Sequence, residues 1–295
     1  MGKALADQFE ICARTFAEAD AALSEPLSDL IFNGPAEKLT LTEHTQPAIL
    51  TMSVAVWRLL ESKGVKPAFV AGHSLGEYSA HVAAGTLAFQ DAVRLVRNRG
   101  RYMQEAVPVG HGAMAAILGL DEQGVTEACR EAAEGDVVSA ANLNGGGQIV
   151  IAGTAAAVAR AGERAKARGA RRVVPLQVSA PFHCALMNSA AERLAPELRA
   201  VTARDPRIPV IANVDAEPKR TAAAAIDALI RQVSSPVRWE SVVQRLASEG
   251  VTRYVEVGPG KALSGMIKRI AGGAAILNVE GPGDLPAIEA WFSAA

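Results

Sequence analysis

The stretch Gly72-His73-Ser74-Leu75-Gly76 sets a serine in the pattern G-x-S-x-G. The apolar run "AFVAG" before it predicts a short buried strand. "GEYSAHVAAG" after it predicts a helix, so the serine stands on a strand–turn–helix, the setting this motif needs. On such a turn the Ser74 Oγ is exposed and the backbone N–H of Leu75 points at a developing oxyanion. The start of the helix adds favourable partial charge. A serine hydroxyl is a weak nucleophile until a base takes its proton. The five histidines are His44, His73, His81, His111 and His183. His73 adjoins the serine, but consecutive side chains on a tight turn point apart. His81 falls down the helix as a packing residue, and His44 and His111 sit in polar loops. His183 lies in "SAPFHCALM", after a predicted strand, where a loop delivers a side chain to the crevice of an α/β sheet. Spacing alone leaves His183 open between a base and a satisfied structural histidine.

The elements that must position these residues follow from periodicity and punctuation. Residues 1–30 read as helix. Residues 45–64 read as a strong helix, with Gln46-Pro47 near its start and Gly64 as its stop. Residues 89–107 read as a third helix, whose Arg94, Arg97 and Arg101 share a face while Arg99 lies roughly opposite. From 111 to 178 the pattern runs strand, helix, strand, strand, helix, strand, which predicts a ferredoxin-like βαββαβ unit. Further on, "IPVIANV", "TRYVEVGPG" and "AAILNV" predict strands. Residues 221–250 predict two helices broken at Ser235-Pro236. The expected fold is α/β. A large hydrolase-like domain with an open, mostly parallel sheet is formed by 1–110 and 179–295, and a small ferredoxin-like subdomain is inserted at 111–178.

The chain has 295 residues, 49% hydrophobic and 21% charged, with net charge −1. That balance is globular and sets up no overall field for nucleic acid or a membrane surface. The basic run "ARGARR" at 167–172 reads as a solvated turn. Cys12, Cys129 and Cys184 are odd in number and lack CxxC spacing. They argue against a disulfide framework and a structural zinc, and fit a reducing cytoplasm. The N-terminal segment is amphipathic and acidic with no apolar core, so it reads as neither signal peptide nor membrane span. No metal or nucleotide signature appears, and "GGG" at 145–147 reads as a hairpin turn.

Five stretches, "GHSLGEYSAHVAAG", "DAVRLVRNRGRYMQEAVP", "SAPFHCALM", "NVDAEP" and "EVGPGKALSGMIKRI", together resemble the malonyl-CoA:acyl-carrier-protein transacylase family of bacterial fatty-acid synthesis. The resemblance spans most of the chain, in the right order. It implies a Ser74–His183 dyad whose imidazole is oriented by the backbone carbonyl of Gln232. It implies that Arg99 binds the malonyl carboxylate through two parallel charge-assisted hydrogen bonds. It implies that Phe182 favours malonyl over branched units. Ser74 would take malonyl from coenzyme A, and the phosphopantetheine thiol of acyl carrier protein would take it from Ser74. The implied partners are malonyl-CoA and an acidic carrier protein, for which Lys261, Lys268 and Arg269 are candidate receivers. The resemblance implies no cofactor beyond the substrate, no metal, a monomer and a cytoplasmic setting. A polyketide-pathway malonyl acyltransferase and a non-catalytic carrier-protein-binding module stand beside this reading. An esterase fits poorly, because no histidine follows His183 and no HGGG-type loop is present.

One departure bears on these expectations. Family members open with a strand and a loop of the type F-P-G-Q-G-S-Q, whose Gln supplies a second oxyanion N–H. The sequence begins at "MGKALAD", so roughly 15 residues of strand and loop are expected to be missing ahead of it. Losing an oxyanion donor costs about 2.7–4 kcal/mol. The expectation is a start that is not the biological one, or a chain cut at that point, impaired and left with an unpaired sheet edge.

Overall fold

The computed structural model describes residues 1–293. Its largest core is helical. The helices Glu10–Leu23, Thr42–Ser62 and Phe89–Glu105 bury Phe16, Leu50, Met52, Leu60, Val96 and Met103 against one another. Thr42–Ser62 is buried along most of its length, as its continuous apolar run requires. Pro47 stands inside this helix rather than at its start. The single helix expected over 1–30 is three: Lys3–Gln8, Glu10–Leu23 and Leu27–Asn33. Phe9 is extended at the first break. Ser24 turns left-handed just before Pro26, which cannot continue a helix, at the second.

The strands, in chain order, are β1 (Val70–Ala71), β2 (Gly112–Leu118), β3 (Val138–Leu143), β4 (Gln148–Thr154), β5 (Arg172–Pro175), β6 (Val210–Ile211), β7 (Pro218–Lys219), β8 (Arg253–Val257) and β9 (Ala275–Val279). β2 to β5 form one antiparallel sheet in the order β3-β4-β2-β5. With the helices Glu122–Ala133 and Ala155–Ala167 this is the βαββαβ arrangement read from the sequence. Alternation along β2 sorts its two faces. Ala115 and Ile117 pack on the two helices, whereas Met114 and Ala116 pack on the other side with Cys184, Phe182 and Leu186. The bare face of this small sheet therefore backs the segment that carries His183.

The remaining strands are short. β1 pairs in parallel with β6, β6 pairs antiparallel with β7, and β8 pairs in parallel with β9 as a separate sheet. The expected sheet is mostly parallel, but it lies in two pieces. The apolar runs "AFVAG" and "IPVIANV" shrink to two residues each because their ladder is only two pairs long, Val70↔Val210 and Ala71↔Ile211. That register sets Gly72-His73-Ser74 beside Ala212-Asn213 at the same end of the sheet. A C-terminal helix, Leu285–Ser293, was not anticipated.

The small sheet is tied to the rest near the site. The Leu143 N–H donates to Val237 O at 2.9 Å, and the Val237 N–H donates to Ala141 O at 2.9 Å. The helices Phe89–Glu105 and Thr42–Ser62 approach most tightly at Gly100. A Cβ there would lie 2.6 Å from Thr42 O and 2.7 Å from the Glu43 Cα. In an open helix Gly→Ala gains up to about 1 kcal/mol. Here the sign reverses, because two backbones must part. Gly100→Ala should lower the thermal midpoint by about 2–10 °C, the cost of overpacking by ~1–3 kcal/mol in a chain of this size. A thermal melt checks it, and a raised midpoint would contradict the packing.

Candidate active site

Ser74 sits on the turn from β1 into the helix Gly76–Ala83 with φ 52°, a left-handed value that a non-glycine residue holds only under constraint. Gly72 explains the first glycine of the motif. A Cβ on it would come within 2.0 Å of the Gly76 carbonyl carbon, so strand and helix meet only over a bare backbone. The Leu75 N–H donates to no acceptor among the described residues, which leaves it free beside the Ser74 hydroxyl.

His183 also holds a left-handed φ, 60°. Its Nδ1–H donates to Gln232 O at 3.0 Å, and its Nε2 accepts the Ser74 Oγ–H at 2.7 Å. The carbonyl fixes the tautomer: with the proton on Nδ1, Nε2 is left to act as base. Burial, followed by the positive charge of Arg99, pushes His183 down to about 3, against the weaker upward pull of the Gln232 carbonyl. The imidazole is therefore neutral and able to accept a proton at any ordinary pH.

Arg99 is 2% exposed. Its Nη1 donates to Gln46 Oε1 at 2.7 Å. Its Nη2 donates to Gln232 Oε1 at 2.9 Å and to Ser74 Oγ at 3.1 Å. No carboxylate hydrogen-bonds to it among the described residues, and its Nε has no partner. Burial lowers its pKa from the ordinary guanidinium value. A guanidinium remains charged even so. A buried cation held by neutral acceptors and in contact with a nucleophile can hold an anionic group beside that nucleophile.

Two side chains brace the turn. Asn213 Oδ1 accepts the Ser74 N–H at 2.7 Å, and its Nδ2 donates to Gly72 O at 2.8 Å. Gln232 Nε2 donates to Ser74 O at 2.9 Å. No group of three or more His, Cys, Asp or Glu suited to a metal ion occurs among the described residues. No described helix is long and apolar enough to cross a membrane.

A family model described as acyl transferase domain matches residues 1–271. The chain belongs to the acyl transferase family. It is 54% identical over 267 residues to the malonyl CoA-acyl carrier protein transacylase of Escherichia coli K12, covering 90% of this chain and 86% of that protein. It is 52% identical over 271 residues to the Bacillus subtilis protein of the same name, covering 92% and 86%. The fold matches an acyl carrier protein S-malonyltransferase from Vibrio cholerae with TM-score 0.96 and 47% identity, over 98% of this chain and 94% of that one. It also matches a malonyl-transacylase solved in complex with its type II polyketide acyl-carrier protein, with TM-score 0.95 and 46% identity, over 97% and 93%.

In this acyl transferase the structure brings together Ser74, Arg99, His183 and Gln232, the residues that the family resemblance had grouped. Phe182 is half-buried between the large core and the bare face of the small sheet. Lys261, Lys268 and Arg269 are exposed at and along the helix Ala262–Ile270, and Arg269 Nη2 donates to Gln148 Oε1 at 3.2 Å. His81 is fully buried, as a packing residue should be. His73 turns away from the dyad, its Nε2 2.9 Å from Asn144 Oδ1. His44 departs from expectation. It is not in a loop but buried in the helix Thr42–Ser62, where its Nδ1 accepts from Arg97 Nη1 at 2.7 Å. Sequence reasoning missed Gln46, Glu77, Asn213 and the Gln232 side chain. Asn213 stands in "NVDAEP" and Gln46 in "TQP", but nothing in either stretch says that it reaches Ser74 or Arg99. Glu77 reads as an ordinary acidic residue on a helix's first turn.

The depressed His183 pKa gives a pH expectation. A group whose pKa is lowered keeps its base form until pH falls through the lowered value. Labelling of Ser74 by a neutral phosphonofluoridate should therefore hold a constant rate from about pH 8 to about pH 5. An inflection near the ordinary histidine value would contradict a buried base.

Proposed function

We propose that this acyl transferase moves a malonyl group from coenzyme A to the phosphopantetheine thiol of acyl carrier protein in fatty-acid synthesis, through a malonyl ester on Ser74. The observation that carries the reading is the buried Arg99 guanidinium, unpaired with any carboxylate and 3.1 Å from the Ser74 Oγ. In a malonyl ester only two carbons separate the ester oxygen from the carboxylate carbon, a span of roughly 4 Å at ordinary bond lengths. A carboxylate that close to Oγ falls beside Arg99. Acetyl would leave the cation without an anion.

His183 takes the Ser74 proton through Nε2 while Oγ attacks the thioester carbonyl. The Leu75 N–H faces the oxyanion, the C–S bond breaks, and coenzyme A leaves as the thiol with the proton His183 held. The carrier-protein thiol then gives its proton to His183 and attacks the ester carbonyl. The C–Oγ bond breaks and Ser74 recovers its proton. Gln232 O stabilises the imidazolium in both halves. Arg99 changes partner, from Ser74 Oγ in the free site to the substrate carboxylate. Phe182 is assigned to acyl-chain selection.

The relatives' names support malonyl-CoA as donor and acyl carrier protein as acceptor. A malonyl-transacylase solved in complex with its type II polyketide acyl-carrier protein supports an acyl carrier protein as partner. The reading includes a cytoplasmic monomer with no resident cofactor. Intact mass after brief exposure to malonyl-CoA tests it. The wild type should gain one malonyl group and Ser74→Ala none. A folded wild type that stays unmodified would contradict the proposal.

A further inference from the structure

Glu77 is a fully buried carboxylate that takes no part in the proton transfers. Only one of its oxygens is engaged. Oε2 accepts the Asn213 N–H at 3.0 Å and the Gln232 Nε2–H at 2.8 Å. Oε1 has no hydrogen-bond partner and faces the His81 Nε2 at 4.0 Å. His81 is itself buried with both ring nitrogens unpaired, and burial holds it neutral, down to about 3. Two further charged groups act on Glu77: Arg99, which favours its charged form, and Asp215, which opposes it.

The two residues on Oε2 are the two that brace the nucleophile. Asn213 clamps both sides of the turn, at Ser74 N and Gly72 O. Gln232 holds Ser74 O and Arg99 by its side chain and His183 by its carbonyl. The Gln232 amide has a single sensible orientation. Its NH₂ faces two acceptors, Ser74 O and Glu77 Oε2, and its oxygen faces the Arg99 donor. We propose that Glu77 is a positioning residue for acyl transfer, acting through Asn213 and Gln232 to hold Ser74 in its left-handed turn, and that it does so as a hydrogen-bond acceptor rather than as a charge.

Two observations and one chemical argument favour an acceptor over a charge. Both partners are neutral donors. A proton on the idle Oε1 would leave Oε2 free to accept. Burial pushes the carboxyl up to about 7 even against the opposing pull of Gln232, Asn213 and Arg99, so burial outweighs the support its charge receives. The inference rests on the acyl-transfer reading only for its natural acyl donor.

Glu77→Gln keeps the reach and the accepting oxygen and loses the charge. Glu77→Asp keeps the charge and withdraws it by one methylene. The readouts are Ser74 labelling by a neutral phosphonofluoridate and the rate of malonyl loading from coenzyme A, with thermal melts to confirm folding. Glu77→Gln should stay within about three-fold of wild type in both, and Glu77→Asp should lose about ten-fold or more, since misplacing reacting atoms by about 1 Å costs up to ~10²-fold. If the Asp variant does not fold, Asn213→Ala cuts the same path on the Ser74 side and carries the same expectation. Wild-type rates in both Glu77 variants would reduce Glu77 to a packing role and overturn the proposal. Loss in the Gln variant would overturn the acceptor role, and would point to charge where the Asp variant keeps wild-type rates. Labelling that follows the expected order while no form takes malonyl would uphold Glu77 as a positioning residue and count against the malonyl reading alone.

Discussion

The site depends on a guanidinium placed where water cannot reach it and no carboxylate meets it. A charge taken out of water costs several kcal/mol unless partners replace its hydration. Arg99 has neutral hydrogen-bond partners in Gln46, Gln232 and Ser74, which hold it in place, and Glu77, whose charge acts on it, makes no hydrogen bond to it. In the proposed reaction this arrangement would draw in the malonyl carboxylate and set its distance from the nucleophile. It also makes the free site self-consistent, since the donor that will face substrate rests on the hydroxyl that will attack.

Holding that arrangement takes most of the fold. Gly100 lets the Arg99 helix close on the Gln46 helix until their backbones touch. The parallel pairing of β1 with β6 sets the nucleophile's turn beside Asn213. The bare face of the small sheet packs on Cys184, Phe182 and Leu186, fixing the loop that carries His183. Gln232 ends the helix Ala222–Gln232 and supplies its carbonyl to the base while its amide reaches Arg99 and Ser74. A backbone carbonyl in the orienting role adds no negative charge beside an imidazole already pushed toward neutrality.

Local signals in the sequence were reliable where a residue's own neighbours decide its place. The strand–turn–helix around Ser74, the opposed faces of the helix holding Arg99, and the βαββαβ alternation after residue 111 are all near-neighbour patterns, and the structure has each of them. What the residues could not say alone is which distant side chains converge. Gln46 and Arg99 are 53 positions apart, and Ser74 and Asn213 are 139 apart. His183, Arg99 and Gln232 were assigned through family resemblance rather than spacing. Glu77 escaped both routes, because an acidic residue on a first helical turn has an ordinary explanation at the surface and only burial removes it. The helix expected over residues 1–30 failed for a local reason, since its alanine-rich periodicity outweighed the breaks at Phe9 and Pro26.

The most direct test of this account is the ratio of Ser74 acylation rates with malonyl-CoA and acetyl-CoA, in the wild type and in Arg99→Ala. If the buried guanidinium selects the carboxylate, the wild type favours malonyl strongly. Arg99→Ala should then cut that preference by about 30-fold or more, the ~2–5 kcal/mol of a buried charge pair losing one partner. An unchanged ratio in a folded Arg99→Ala protein would contradict the account, because the acyl group would then be chosen by something other than the charge beside the nucleophile.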